Sequence, residues 1–188
     1  TTLFRSAQTV VALQALVTRT TSPIDPVVIG VGILNSGTSY NIVSGSGVIE
    51  GTTRTTSAKT RQEVRDKVQE TAENIAKIYG GSAKVIWTDY TSALINDERV
   101  SEEVRGIVKD IFGEKAAKVR PISLGGDNFA EFIMEIPGAY AYLGTSNESI
   151  PNSLIQIHNE GFDVDENALD IGATLYAEYA LRWLNDKF

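Results

Sequence analysis

Between residues 3 and 19, Ala7, Val10, Val11, Gln14 and Val17 recur at helical spacing, and Leu13 and Leu16 widen the stripe. That spacing predicts an amphipathic helix with this face buried. Thr20 to Pro26 ends it. Val27 to Leu34 is a nearly continuous β-branched run and Gly47 to Thr56 a more polar one, separated by the Gly/Ser/Asn-rich stretch Asn35 to Asn41, so two strands are expected. From Lys59 to Tyr79 the positions Val64, Val68, Ala72, Ile75 and Ile78 trace a second helix face, and Gly80-Gly81 supplies a left-handed stop. Ala83 to Thr91 reads as a third strand. The order helix, strand, strand, helix, strand is an α+β sandwich of ferredoxin-like type lacking its first strand, which leads us to expect a segment ahead of Thr1.

After Thr91 the texture changes. Ser92 to Asp97 reads as a hinge, Glu98 to Phe112 as an acidic-then-apolar helix, and Val119 to Leu124 as a short strand running into Gly125-Gly126-Asp127-Asn128. A helix over 129–135, a strand over 139–144, a long loop to His158 and a last helix from about Glu166 to Asn185 complete a partial α/β layer. The fold class is therefore α/β, with domains expected at residues 1–92 and 93–188. No tandem repeat or low-complexity tract interrupts either.

Composition narrows the partners. With 17 Lys+Arg against 24 Asp+Glu the net charge is −7, which argues against nucleic acid and anionic membranes. No apolar run reaches the ~20 residues of a membrane helix, and the cytoplasm is the default expectation. The absence of cysteine excludes a disulfide framework and a thiolate zinc site.

Several motifs carry candidate chemistry. Asp163-Val164-Asp165-Glu166-Asn167 begins like a calcium loop, but Ala168 and Thr174 stand where such a loop needs Gly and Glu. Capping of the last helix by Asp163 or Asp165, with Asp163 and Glu166 at capping-box spacing, explains the same residues. Gly125-Gly126 matches no full nucleotide signature and reads as a tight strand-to-helix turn, while Gly32, Gly45 and Gly47 read as bulges and turns. A nucleophilic triad would need His158 as its base, and no G-x-S-x-G pentapeptide occurs. His158, the only histidine, closes the run Leu154 to Ile157; a neutral imidazole there suits either a metal ligand or a solvent-facing loop residue.

Taken together, whole segments resemble the C-terminal half of the M20 family of metallopeptidases and amidohydrolases, in its branch that removes acyl groups from amino acids and short peptides. The segment 7–14 is similar to the first helix of that family's lid domain, Gly37 to Val43 to its G-x-x-x-N-V-I-P turn, and Gly51-Thr52-Thr53-Arg54-Thr55 to its G-T-x-R-T strand. Ile95-Asn96-Asp97 resembles V-N-D, Gly125 to Ala130 resembles G-x-E-D-F-A, Pro137-Gly138-Ala139 and Leu143-Gly144 resemble P-G-A and L-G, and His158 to Glu166 resembles H-N-P-x-F-D-x-D-E.

That resemblance implies a lid or dimerisation domain at 1–92 and the C-terminal part of a catalytic domain at 93–188. It implies two divalent ions, zinc or manganese, with a bridging water attacking an amide carbonyl while a glutamate carries the proton to the leaving amine. His158 would be the last metal ligand in chain order, and Asn41 and Arg54 would bind substrate oxygens, Arg54 by paired bonds to a carboxylate. The family's other ligands and its general base fall upstream, so no catalytic residue is expected within this chain and no turnover by it alone. Asp127-Asn128 departs from the family's Glu-Asp pair, and Ser44 from its proline. A homodimer through the lid is implied, and the competing expectation is a non-catalytic carboxylate-binding or dimerisation module built on Asn41 and Arg54.

Overall fold

A computed structural model describes residues 1–185 and 187–188. The chain divides into two compact units, Thr1–Leu94 with Ile122–Glu131, and Ile95–Pro121 with Phe132–Phe188. Among the described residues the fold is mixed α/β, with five α-helices and one two-stranded sheet. No helix among them is long and apolar enough to cross a membrane.

In the first unit, α1 (Thr2–Arg19) buries Ser6, Thr9 and Leu13, with Leu16 and Val17 packed beside them. This face differs from the expected stripe: Val11 is 72% exposed. Polar atoms inside explain the rotation. The Thr9 hydroxyl donates to the Arg5 carbonyl at 3.0 Å, so it turns inward with its donor satisfied. Gln14, also on the expected stripe, instead uses its amide to donate to the Ile29 carbonyl of the neighbouring strand.

Strands β1 (Val28–Ser36) and β2 (Gly47–Arg54) pair antiparallel from Val28↔Arg54 to Ser36↔Gly47, with a bulge at Gly32 between Val31 and Ile33. At the bulge the strands crowd, and a side chain at Gly51 would collide with the Gly30 carbonyl oxygen. The helices cover the sheet through Leu13, Val27, Ile29, Val64 and Val68. Helix α2 (Ala58–Ile78) buries Thr60, Val64, Val68, Ala72 and Ala76, a strict four-residue repeat that leaves Ile78 exposed. Ser57 caps its start by accepting from the Thr60 N–H. At its end Gly80 takes φ 69°, and the Gly81 N–H reaches back to the Ala76 carbonyl, the Schellman arrangement.

Residues 83–91 do not form the expected third strand. Their period-two pattern survives, since Val85 and Trp87 pack against the core. Side chains hold the segment to α2: Asp89 pairs with Arg61 and, at 3.1 Å, with Arg65, whose guanidinium lies 5.1 Å from the Trp87 ring centroid. The segments 119–124 and 139–144 likewise carry no strand pairing. In the second unit Asn96 substitutes for a ladder, donating from its amide to the Tyr140 carbonyl and accepting the Tyr140 N–H.

The second unit is built on α3 (Glu98–Phe112) and α5 (Ala168–Leu184). Asp97 caps α3 by accepting from the Val100 N–H, and Ile107 is fully buried. Tyr179 of α5 donates to Glu103, and Arg182 pairs with Asp110 at 2.8 Å. Burial, then the bond to Glu103, pushes the Tyr179 phenol above its usual range. Helix α4 (Phe129–Glu135) holds the boundary between Glu131 and Phe132 that separates the two units. The capping box expected for α5 does not form: Asn167 stands at its N-cap without a side-chain capping bond, its amide donating to Asp165 instead, and among the described residues the Asp163 carboxylate accepts only from its neighbour Val164.

Candidate functional site

Three side chains were expected to matter. Arg54 ends β2, and its Nη1 donates to the Leu124 carbonyl at 3.3 Å. That contact brings it beside the Gly125-Gly126 turn, where a Cβ built on Gly126 would lie 3.7 Å from the same nitrogen. Arg54 is exposed and makes no other hydrogen bond or ion pair among the described residues, so four of the five N–H groups of a guanidinium remain for a ligand. Asn41 sits in the loop between β1 and β2, exposed, its carbonyl oxygen accepting from Ser39. The register places that loop at one end of the hairpin and Arg54 at the other, a strand path of about 23 Å. The hairpin strands alone therefore do not bring the two together.

The Gly125-Gly126 turn is fastened on both flanks within the first unit. The Thr91 hydroxyl donates to the Asp127 carbonyl at 3.0 Å, and the Ser92 N–H donates to Glu131 at 2.6 Å. That backbone donor, first among several, holds the Glu131 carboxyl below the usual range. Asp127 takes the place of a cap, accepting from the Phe129 N–H at 2.8 Å. The start of the seven-residue helix α4 is thus already met by a carboxylate of the chain itself.

His158 belongs to the second unit and is exposed, with φ 73°, the sole non-glycine residue in the left-handed region among the described residues. A polar knot builds the loop that presents it. Ser153, 3% exposed, accepts from the Asn147 N–H and donates to a carbonyl of the same loop. The Asn147 amide donates to Asp165 at 2.7 Å, and the Asp163 N–H returns to the Asn152 carbonyl. The Asn147 amide, followed by the Asn167 N–H, holds the Asp165 carboxyl below its usual range. Asp165 is thereby tied into the loop, and it is Asn167, not Asp165, that stands at the N-cap of α5.

The donor set tests the metal expectation. No group of three or more His, Cys, Asp or Glu able to hold a metal occurs among the described residues. An imidazole on an exposed, well-fastened loop fits a single ligand, and the neighbouring Asp163 and Asp165 already accept other bonds. What the sequence does not reveal is the support: Thr91, Ser92 and Glu131 around the glycine turn, and Asn147, Ser153 and Asp165 in the loop that carries His158. Their only sequence signal is an abundance of Asn, Ser and Asp in loops, which predicts local bonds without saying to what.

With this geometry in place, known proteins give the class. Residues 5–182 match the model of peptidase family M20/M25/M40, and the chain belongs to that family. Thermostable carboxypeptidase 2 of Saccharolobus solfataricus is 30% identical over 184 residues, which cover 97% of this chain and 46% of the relative. N-acetyl-L-cysteine deacetylase of Bacillus subtilis is 30% identical over 184 residues, covering 96% and 41%. The crystal structure of the Bacillus subtilis YXEP protein, a dinuclear metal binding peptidase from the M20 family, is similar with a TM-score of 0.81 at 27% identity, covering 98% of this chain and 46% of that one. The chain thus spans about half the length of the relatives it matches.

Proposed function

We propose that this chain is the C-terminal part of a metal-dependent amidohydrolase that cleaves the amide bond of N-acyl amino acids or short peptides, with the lid at 1–92 and catalytic-domain residues at 93–188. The family match over residues 5–182 carries the reading, and relatives named as a carboxypeptidase and an N-acetyl-L-cysteine deacetylase supply the substrate class. Two divalent ions, zinc or manganese, would lower the pKa of a water and polarise the scissile carbonyl. His158 would supply one imidazole to that pair, aimed by its loop. Arg54 would hold the substrate carboxylate by two parallel charge-assisted bonds, and Asn41 would donate to a substrate oxygen. The proton-transferring carboxylate and the remaining ligands would lie outside this chain, which by itself would not turn over substrate. A homodimer through the lid and a cytoplasmic location complete the reading.

The test is hydrolysis of N-acetyl amino acids and dipeptides by the full product of the gene and by the 188-residue chain, each supplied with Zn²⁺ or Mn²⁺. The full product is expected to be active, to lose activity to a chelator, and to lose about a thousandfold in His158→Ala. Arg54→Ala is expected to raise KM about tenfold or more while leaving neutral amides unaffected. Metal-dependent turnover by the 188-residue chain, or full activity in His158→Ala, would contradict the assignment.

A further inference from the structure

We infer that Arg54 is a two-position latch: without ligand it pins the Ser123–Asp127 turn, and an organic carboxylate draws its guanidinium away and frees that turn. The inference rests on the reading of Arg54 as the partner of a substrate carboxylate and adds to it a mechanical consequence. The unliganded position is the bond from Nη1 to the Leu124 carbonyl, 3.3 Å long, exposed, and made to a neutral acceptor. Such a bond lies at the weak end of the N–H···O range, whereas a guanidinium–carboxylate pair is shorter, doubled and charge-assisted. The exchange of one for the other is therefore downhill for the arginine.

The turn is constructed to respond. Among the described residues the only hydrogen bond from elsewhere in the unit that reaches residues 122–126 is the one from Arg54; the Gly125 N–H is held locally by the Ser123 hydroxyl at 3.2 Å. On its C-terminal side Thr91 and Ser92 fasten Asp127 and Glu131, so the loosened stretch ends there. Two adjacent glycines supply the conformational freedom between those anchors. Gly126 also lies close to both: a Cβ there would stand 3.2 Å from the Thr91 methyl, which would have to give way, and 3.7 Å from Arg54 Nη1, an ordinary contact distance.

The experiment is amide hydrogen exchange, read by NMR on the full 188-residue chain, at Gly125 as the reporter and at Ala130 as the fixed control. Wild type, Arg54→Gln and Arg54→Lys are compared in chloride and in acetate at equal ionic strength, and acetate binding is followed independently by the Arg54 Nε–H resonance. Without acetate, Arg54→Gln is expected to exchange about fivefold faster than wild type at Gly125 and equally at Ala130. Saturating acetate is expected to bring wild type to the Arg54→Gln rate and to leave that variant unchanged; Arg54→Lys, lacking the fork, is expected to respond less. Acetate that shifts the Arg54 resonance without changing exchange at Gly125 overturns the latch and leaves the carboxylate reading intact. No acetate shift at Arg54 sinks both. Equal rates in wild type and Arg54→Gln without acetate show that the Leu124 contact pins nothing and overturn the latch alone.

Discussion

Replacing Gly51 by alanine puts a methyl group onto the Gly30 carbonyl oxygen, a backbone atom that cannot rotate away. The hairpin must shift at its bulge, and the expected loss is ~1–3 kcal/mol, read as a lowered urea midpoint. Alanine at Gly45, where nothing approaches within 4 Å, is the control and should be close to neutral. A second residue-scale effect is titratable. Asp25 accepts the hydroxyls of Thr56 and Thr60, and those bonds hold its carboxyl below the usual range. Because the folded value is depressed, the clasp contributes above the unfolded value of about 3.9 and is lost as pH falls through the folded value. Wild type should therefore melt above Asp25→Asn at pH 7, and the two melting curves should converge only as pH falls below the depressed folded value. A gap that persists unchanged in acid would mean the carboxylate charge has no part in it. Neither effect can be read from sequence, where Gly51 is one glycine in a strand and Asp25 one acid between prolines.

At the scale of elements, Asn96 does the work of a strand neighbour. Its amide both donates to and accepts from the Tyr140 backbone, so Asn96→Ala should cost ~1–2 kcal/mol for two exposed bonds. Asn96→Asp keeps the acceptor but sets a carboxylate oxygen against the Tyr140 carbonyl, and should recover little over Asn96→Ala; an Asn96→Ala midpoint equal to wild type would show that the pairing is not what matters. The same contrast explains which elements were legible. Helix α3 runs from Glu98 to Phe112 as its sequence predicts, because its cap, its repeat and its stop at Gly113 all lie within one stretch of chain. The segments 83–91, 119–124 and 139–144 have strand-like composition, but a strand is defined by a neighbour, and none pairs with them among the described residues. Helix α1 shows an intermediate case: its length is predicted and its face is not, since Ser6 and Thr9 turn inward where an apolar count points to Val10 and Val11. The site follows the same rule. Arg54 and His158 stand out by residue type and motif, whereas Asn147, Ser153 and Asp165 become a unit only when the loop folds.

For the whole molecule, the −7 charge and the apolar surface act together. Helix α5 turns Gly172, Leu175, Glu178, Tyr179 and Arg182 toward its own unit and leaves Leu169, Ala173, Tyr176, Ala180 and Trp183 exposed. Those five alternate at spacings of four and three, an apolar seam of the kind helices bury. Tyr176 at 84% and Trp183 at 61% exposure are its largest members. Scattered apolar side chains are ordinary on a surface, but a continuous seam is not. An anionic dye such as anilinonaphthalenesulfonate should report it, with an intensity that Tyr176→Lys and Trp183→Lys together reduce severalfold while helical ellipticity stays constant. The charge fixes the sign of a further dependence. A sulfonate approaching a chain of net charge −7 is repelled, so dye binding should strengthen as salt shortens the Debye length from about 30 Å at 0.01 M to about 10 Å at 0.1 M. Binding that weakened with salt would instead mean that the dye is held by cations such as Arg182 or Lys187, and that the apolar seam is not what it reads.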